Sequence, residues 1–375
     1  MRTRRVIGFL TCFVLQVSVS PSSIGQSTRG FLAGQEIHTG VSYQTWSSER
    51  DDRVSEFMAP LLLIIPLGSN LSLDVSTAGG KATLLNPDQS ISGITDTRMV
   101  LSYTMFDETL LLTAGISAPT GKSQLNDDQN AIAASLSNSA LAFQLPTFGQ
   151  GLDLNVGVVY GLDFKDFVVG MGLGGLIKGK FKPSSSIDAD YKPGSEITAT
   201  IGFDKLFELE DSRFVITGDV SYTYYFADLY DGEQVFRSGN KVSVDLKTHF
   251  SVQPFEITLF VQERTKGKNQ RGLGTLSPES QNNNGNQVDI GANAGFVLHE
   301  SMTGILLSDV RIYSRNDLGG MGALVYGAGP GIDWNVSGNL WMNLFGKYYT
   351  GELLNPNVTT KIYGFELGLG FRYKI

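Results

Sequence analysis

The sequence predicts an all-β fold: a single transmembrane antiparallel β-barrel of about sixteen strands, with fourteen as the alternative. Three observations carry this. Apolar and polar residues alternate with period two in segment after segment, the mark of strands with unlike faces. These segments run about 10–15 residues, longer than the 5–6 usual in globular sheets and enough for a tilted crossing of a bilayer. Short and long connections roughly alternate down the chain, as they do when every strand crosses once.

Composition agrees. The 375 residues include 44 glycines, 12 prolines, 10% aromatic and only 18% charged residues. Few charges with many aromatics argue against disorder. A net charge of −8 argues against a nucleic-acid partner, which needs a basic face.

The chain opens on Arg2, Arg4 and Arg5, then an apolar run from Val6 to about Val19, too short for a membrane helix, then Ser23-Ile24-Gly25 before Gln26. This is the pattern of a secretory signal peptide over residues 1–25, leaving 26–375 as the barrel. A lipoprotein signal at Cys12 is the rival; Thr11 before it and the continuing apolar run speak against it. Removing 1–25 removes three arginines and the only cysteine, so the mature chain forms no disulfide.

Segment 35–46 alternates moderately through Ile37, Val41 and Tyr43. Segment 53–66 is apolar on both faces and carries Pro60, which removes a ladder donor. Clearer strands follow at 70–78, 95–105, 109–118, 151–162, 165–180, 194–204, 212–226, 240–250, 254–266, 287–298, 301–314, 320–333 and 336–349. The last segment of the chain is the plainest: Tyr363, Phe365, Leu367, Leu369, Phe371 and Tyr373 alternate with Gly364, Glu366, Gly368, Gly370, Arg372 and Lys374. Short turns are expected at Gly68-Ser69, Phe106-Asp107-Glu108, His299-Glu300 and Asp333-Trp334-Asn335, and long connections at 79–94, 119–150, 181–193, 227–239, 267–286 and 350–359.

A soluble sandwich would bury the apolar face; a membrane barrel turns it to lipid. Strand length and the aromatics Tyr103, Tyr160, Tyr224, Phe226, Phe296, Tyr348, Phe371 and Tyr373 near segment ends favour lipid, because aromatic girdles sit at the membrane interfaces. The facing set then lines the lumen: Asp96, Arg98, Asp153, Glu196, Asp219, Lys241, Asp245, Lys247, His249, Glu256, Arg264, Asp289, Asp309, Arg311, Glu366 and Arg372. Their mixed signs do not predict ion preference.

The terminal strand with Phe371 and Tyr373 resembles the C-terminal signal of bacterial outer-membrane proteins, although the last residue is Ile375. Gly115-Ile116-Ser117-Ala118-Pro119-Thr120-Gly121-Lys122 resembles the strand-to-loop stretch of the meta-pathway phenol-degradation barrels, with Tyr191-Lys192-Pro193-Gly194 and Phe148-Gly149-Gln150-Gly151 pointing the same way. Those barrels are related to the long-chain fatty-acid transporters. The resemblance implies outer-membrane lipid as surroundings, assembly machinery engaging the last strand, and a small hydrophobic solute as cargo. The N-terminal hatch of the fatty-acid transporters has no room in the ten or so residues from Gln26 to Gln35.

No cofactor or metal-ligand spacing stands out. Pro119-Thr120-Gly121-Lys122 matches only the tail of a phosphate loop, since Ile116 stands where glycine is required. His249 with Ser243 and Asp245 has the residue types of a hydrolytic triad, but Ser243 and His249 lie roughly 20 Å apart on one extended strand. The expectation is therefore not an enzyme. In loop 119–150, Asn126-Asp127-Asp128 can cap a short helix carrying Ile132, Leu136 and Leu141. Such a long loop either folds over or into the barrel and gates it, or lies as a solvated surface loop; both readings stay open. Three functions stay open: a passive channel for small solutes, a closed barrel binding a partner through its loops, and a lipid-acting barrel enzyme. Oligomeric state stays open too.

Overall fold

The computed structural model describes residues 35–375 except 51, 86–87, 165–166, 186–187 and 321. The signal peptide expected at 1–25 lies outside them.

Sixteen strands close into one antiparallel barrel. In ring order they are β1 (Glu36–Ser48), β2 (Arg53–Pro66), β3 (Leu71–Leu85), β5 (Thr97–Met105), β6 (Leu110–Ala118), β7 (Asp153–Asp163), β8 (Val168–Lys178), β10 (Glu196–Glu208), β11 (Ser212–Tyr225), β14 (Lys241–Val252), β15 (Phe255–Lys266), β18 (Gln287–His299), β19 (Met302–Tyr313), β20 (Gly322–Ser337), β21 (Leu340–Leu354) and β22 (Thr359–Lys374). Each pairs with the next in this order, and β22 closes on β1 from Glu36↔Lys374 to Ser48↔Ile362. Closure leaves no open edge, which a bilayer requires. The first two segments both span, so the count is sixteen rather than fourteen.

The outer face is apolar. On β7, Leu154, Val156, Val158 and Tyr160 are all exposed, while the alternating Asp153, Asn155 and Gly157 are partly covered by the interior. Short turns gather at the end where β1 begins and β22 finishes, and the long loops gather at the other. By the usual barrel arrangement the first end is periplasmic and the second outward.

Three boundaries differ from the sequence expectation. Asp333, Trp334 and Asn335 lie inside β20, and the turn falls at Gly338 and Asn339. Strand-like residues that keep alternating through the turn hid it. The connection expected at 79–94 is a hairpin: β3 runs on to Leu85 and pairs with β4 (Gln89–Ile94), so the strand pairs β4 on its outer half and β5 on its inner half. The connection expected at 350–359 shrinks to 355–358, because β21 stays paired as far as Leu354 and β22 from Thr359.

Pro60 sits in β2 without breaking it. The β1–β2 ladder omits contacts at Gly40 and Val41, where proline offers no N–H, and Thr39 Oγ1 donates to the Pro60 carbonyl at 3.0 Å.

At the outer rim, three long connections build a second, five-stranded sheet in the order β9 (Tyr191–Lys192), β12 (Asp228–Tyr230), β13 (Glu233–Arg237), β16 (Gln270–Leu273) and β17 (Thr275–Pro278). Its edge is tied by the Tyr191 hydroxyl, which donates to Asp228. Burial and that carboxylate push the Tyr191 phenol well above its ordinary pKa.

Candidate functional site: the bore and its inserted loop

Loop 119–150 leaves the outer end of β6 and enters the barrel. Its base is a close crossing. Asp96, in the connection before β5, accepts from the N–H of Gly121 at 2.9 Å and from the N–H of Gln150 at 2.7 Å. One carboxylate thus clamps both ends of the loop. A Cβ at position 121 would collide with the Phe148 carbonyl oxygen, so only glycine fits there. This explains the Pro-Thr-Gly-Lys stretch as backbone packing, with no phosphate chemistry needed.

From the base the chain runs into α1 (Asp127–Leu136). Asn126 caps it: its side chain accepts from the Gln129 N–H at 2.9 Å, and the Gln129 side chain accepts from the Asn126 N–H at 3.3 Å, a capping box. Asp127 and Asp128 are exposed in the first turn, where acids suit the helix dipole. Asp128 also accepts from Gln89 at 2.8 Å. Ile132 and Leu136 are buried on the helix, as expected; Leu141 is buried too, but it lies beyond the helix, in the segment after Ser137.

The apolar side of the loop packs on the inner wall. Ile132, Leu136, Leu141, Phe143 and Phe148 form one cluster with Trp46, Val54, Ala82, Val325, Tyr349 and Ile362. These wall residues come from β1, β2, β3, β20, β21 and β22. Burying such side chains supplies the docking energy, at about 1.5–3 kcal/mol each before ordering costs. The Trp46 and Tyr349 rings meet at 5.1 Å.

Polar anchors fix the loop's position. Glu56, 2% exposed, accepts from the N–H groups of Gln144 at 3.0 Å and Leu145 at 3.1 Å. Gln144 donates to Glu366 at 2.6 Å, and Tyr349 donates to the same carboxylate at 2.6 Å. Gln44 donates to the Leu141 carbonyl at 2.9 Å, and Tyr313 to the Ser139 carbonyl at 2.7 Å. Arg311 points at the carbonyls of Ala140 and Leu141, both at 3.4 Å. In the ring of sixteen, β6 is fifth and β19, which carries Arg311 and Tyr313, is thirteenth. The loop therefore reaches the wall diametrically opposite its origin.

The remaining wall, from β5 round to β18, carries most of the charged residues singled out by alternation. Arg98 faces Ser117, and Asp153 faces Ser117 and Lys178. Lys178 pairs with Glu196 at 2.8 Å. Asp219 lies opposite Asp245, which accepts from Gln262. Lys247 lies opposite Thr217, and Glu256 opposite Ser251. Arg264 lies 3.9 Å from Asp289. On β19 and β21, Asp309 takes both Arg311 at 3.1 Å and Lys347. Arg372 stacks over Trp341 at 4.4 Å near the inner end. Lys241 and Lys266 occupy directly opposed positions on β14 and β15.

The histidines are held by neighbours. His249 Nδ1 lies 2.9 Å from Thr258 Oγ1, and His38 Nε2 lies 3.0 Å from Glu36. Ser243 faces Ser221 and Arg264 on the adjoining strands.

Sequence reasoning missed Gln44, Trp46, Glu56, Gln144, Tyr313 and Tyr349. One signal was available: Glu56 is a lone carboxylate amid the apolar residues of β2, and such a group needs buried donors.

A closed sixteen-stranded antiparallel barrel with an apolar outer face and a loop folded into a charged bore has the fold of an outer-membrane β-barrel. Comparison with protein-family models gives no match, and neither does comparison with curated proteins. Among solved structures the chain is similar to several bacterial barrels. The high-pH structure of OprB from Pseudomonas putida matches with a TM-score of 0.50 at 10% identity, over 91% of this chain and 94% of that one. OpdL from Pseudomonas aeruginosa matches with a TM-score of 0.48 at 9% identity, over 92% and 99%. The outer-membrane protein OpdK from the same species matches with a TM-score of 0.44 at 9% identity, over 90% and 99%. At these identities the likeness is one of fold.

Proposed function

We propose that this chain is a passive outer-membrane channel for small solutes, with loop 119–150 setting the width of its bore. One observation carries the reading: a loop anchored from its base at Asp96 to Arg311 and Tyr313 across the lumen. A sixteen-stranded barrel encloses room for water, and a fixed crossing segment limits what passes. The charged residues that alternation assigns to the lumen then act as the solute path, and the anchors Glu56, Gln44 and Glu366 position the loop. The resemblance to the phenol-degradation and fatty-acid transporter barrels adds hydrophobic cargo to this reading. The wall from β7 to β18 offers charge pairs such as Lys178–Glu196 instead of an apolar track, which favours solutes bearing polar groups.

Deleting 124–146 tests the assignment. The variant is expected to admit larger sugars in liposome swelling and to raise single-channel conductance. Unchanged conductance removes the loop from the mechanism; a native barrel that admits no small solute at all overturns the channel. The ordered rim sheet supports a second reading, in which the loops bind a partner at the cell surface. In either case, β22 with Phe371 and Tyr373 is the segment we assign to the assembly machinery.

A further inference from the structure

A cavity of about 360 Å³ opens at the outer rim, between the barrel wall and the five-stranded loop sheet. Its floor is Tyr224 and Phe226, whose rings meet edge to face at 5.2 Å. Tyr224 alternates with Val220 and Tyr222, both exposed on the lipid side. The cavity therefore faces outward, at the height where the lipid-facing strand ends and interfacial aromatics belong.

Its roof is Arg237, at the end of β13. The guanidinium carbon lies 4.4 Å from the Tyr224 ring centroid, and Nε donates to the Tyr225 carbonyl at 2.9 Å. Stacking and that one bond hold the guanidinium over the Tyr224 ring, and Arg237 is part of the cavity lining. Pairing of Arg237 with Gln270 on β16 holds its backbone. The other polar lining side chains, Gln234, Gln270 and Thr275, are neutral, and among the described residues no carboxylate lines the cavity. The next arginine of the same sheet differs: Arg271 is neutralised by Glu279 at 2.6 Å. A stacked arginine without an acid, ringed by neutral donors, is an anion site. Its place beside the aromatic belt selects an anion that arrives with a lipid tail.

We propose that this cavity binds a phosphate of an outer-leaflet lipid headgroup, with Arg237 as the phosphate ligand and Tyr224 and Phe226 beneath the sugar or acyl portion. The experiment uses the full-length barrel purified in neutral detergent and native mass spectrometry. The probes are a diphosphorylated lipid A, its dephosphorylated form, and inorganic phosphate. Diphosphorylated lipid A is expected to bind, the dephosphorylated form to bind at least about tenfold more weakly, and inorganic phosphate not to compete at equal concentration. Arg237→Gln is expected to bring the phosphorylated lipid down to the level of the dephosphorylated one. Equal binding of the two lipids, undiminished binding by R237Q, or inorganic phosphate binding as well as the lipid each overturns the proposal. A heat-modifiable gel shift checks that R237Q folds. If it does not, Gln270→Glu replaces it: a carboxylate set in the lining beside Arg237 is expected to neutralise it and bring the phosphorylated lipid down to the dephosphorylated level, and unchanged binding overturns the proposal equally.

Discussion

Truncating Glu56 should release the loop from the wall. Its Oε2 holds two backbone N–H groups, those of Gln144 and Leu145, in a buried position. A hydrogen bond contributes about 0.5–1.5 kcal/mol net, so losing both makes Glu56→Ala remove about 1–3 kcal/mol from the docked state. At tenfold per 1.4 kcal/mol, the docking equilibrium falls by about 5- to 150-fold. Water entering from the bore re-solvates the freed amides and places the effect at the low end. Single-channel conductance in planar bilayers should rise above wild type, with added slow fluctuations as the loop leaves and returns. Chymotrypsin should cut at Phe143, which is only 3% exposed in the docked loop. A folded E56A barrel with wild-type conductance and a protected Phe143 would refute the anchoring argument.

Other perturbations separate the remaining parts. Lys241→Met with Lys266→Met removes two opposed positive charges from the outer bore, and the reversal potential in a salt gradient should shift toward greater cation preference; no shift would place these lysines off the ion path. Gly121→Ala drives a methyl into the Phe148 carbonyl, and thermal unfolding should show a loss of about 1–3 kcal/mol, with the loop opened to protease. At the rim, burial acts to raise the Glu279 carboxyl, but hydrogen bonds from Asn283 and Arg271 and the charge of Arg271 outweigh it and hold the pKa below the ordinary 4.5. The folded value lies below the unfolded one, so this stabilisation is complete above pH 4.5 and is lost as pH falls through the lower folded value. Hydrogen exchange across Gln270–Pro278, corrected for intrinsic rate, should show protection lost in that acid window, while Glu279→Gln should lose the dependence.

The faces of the strands were legible because lipid and lumen differ so much in polarity. Residues from Leu154 to Tyr160 on β7 and from Tyr363 to Tyr373 on β22 announce their side by alternation alone. Where that contrast fails, so does the reading. Segment β2 is apolar on both faces because Val54, which points inward, packs in the cluster with the loop instead of facing water, and Met58 on the same face is buried as well. The course of loop 119–150 was not legible: its contacts lie far away in sequence, as between Gln44 and Leu141. Its helix was legible, because the Asn126–Gln129 capping box is local. The rim sheet was missed because strands as short as Tyr191–Lys192 cannot show a period.

The loop's anchors bear on how the ring is completed. Gln44 on β1 and Glu366 on β22 are directly opposed across the joint between the first and last strands, and the same loop segment bonds to both. A piece of chain made in the first half of synthesis thus waits with partners for two strands made at opposite ends of it. Once tucked inside, it acts as a buckle across the joint, favouring the one register in which Gln44 and Glu366 face each other. A barrel that closes one residue out of step would turn one of those side chains toward lipid and leave the buckle unfastened.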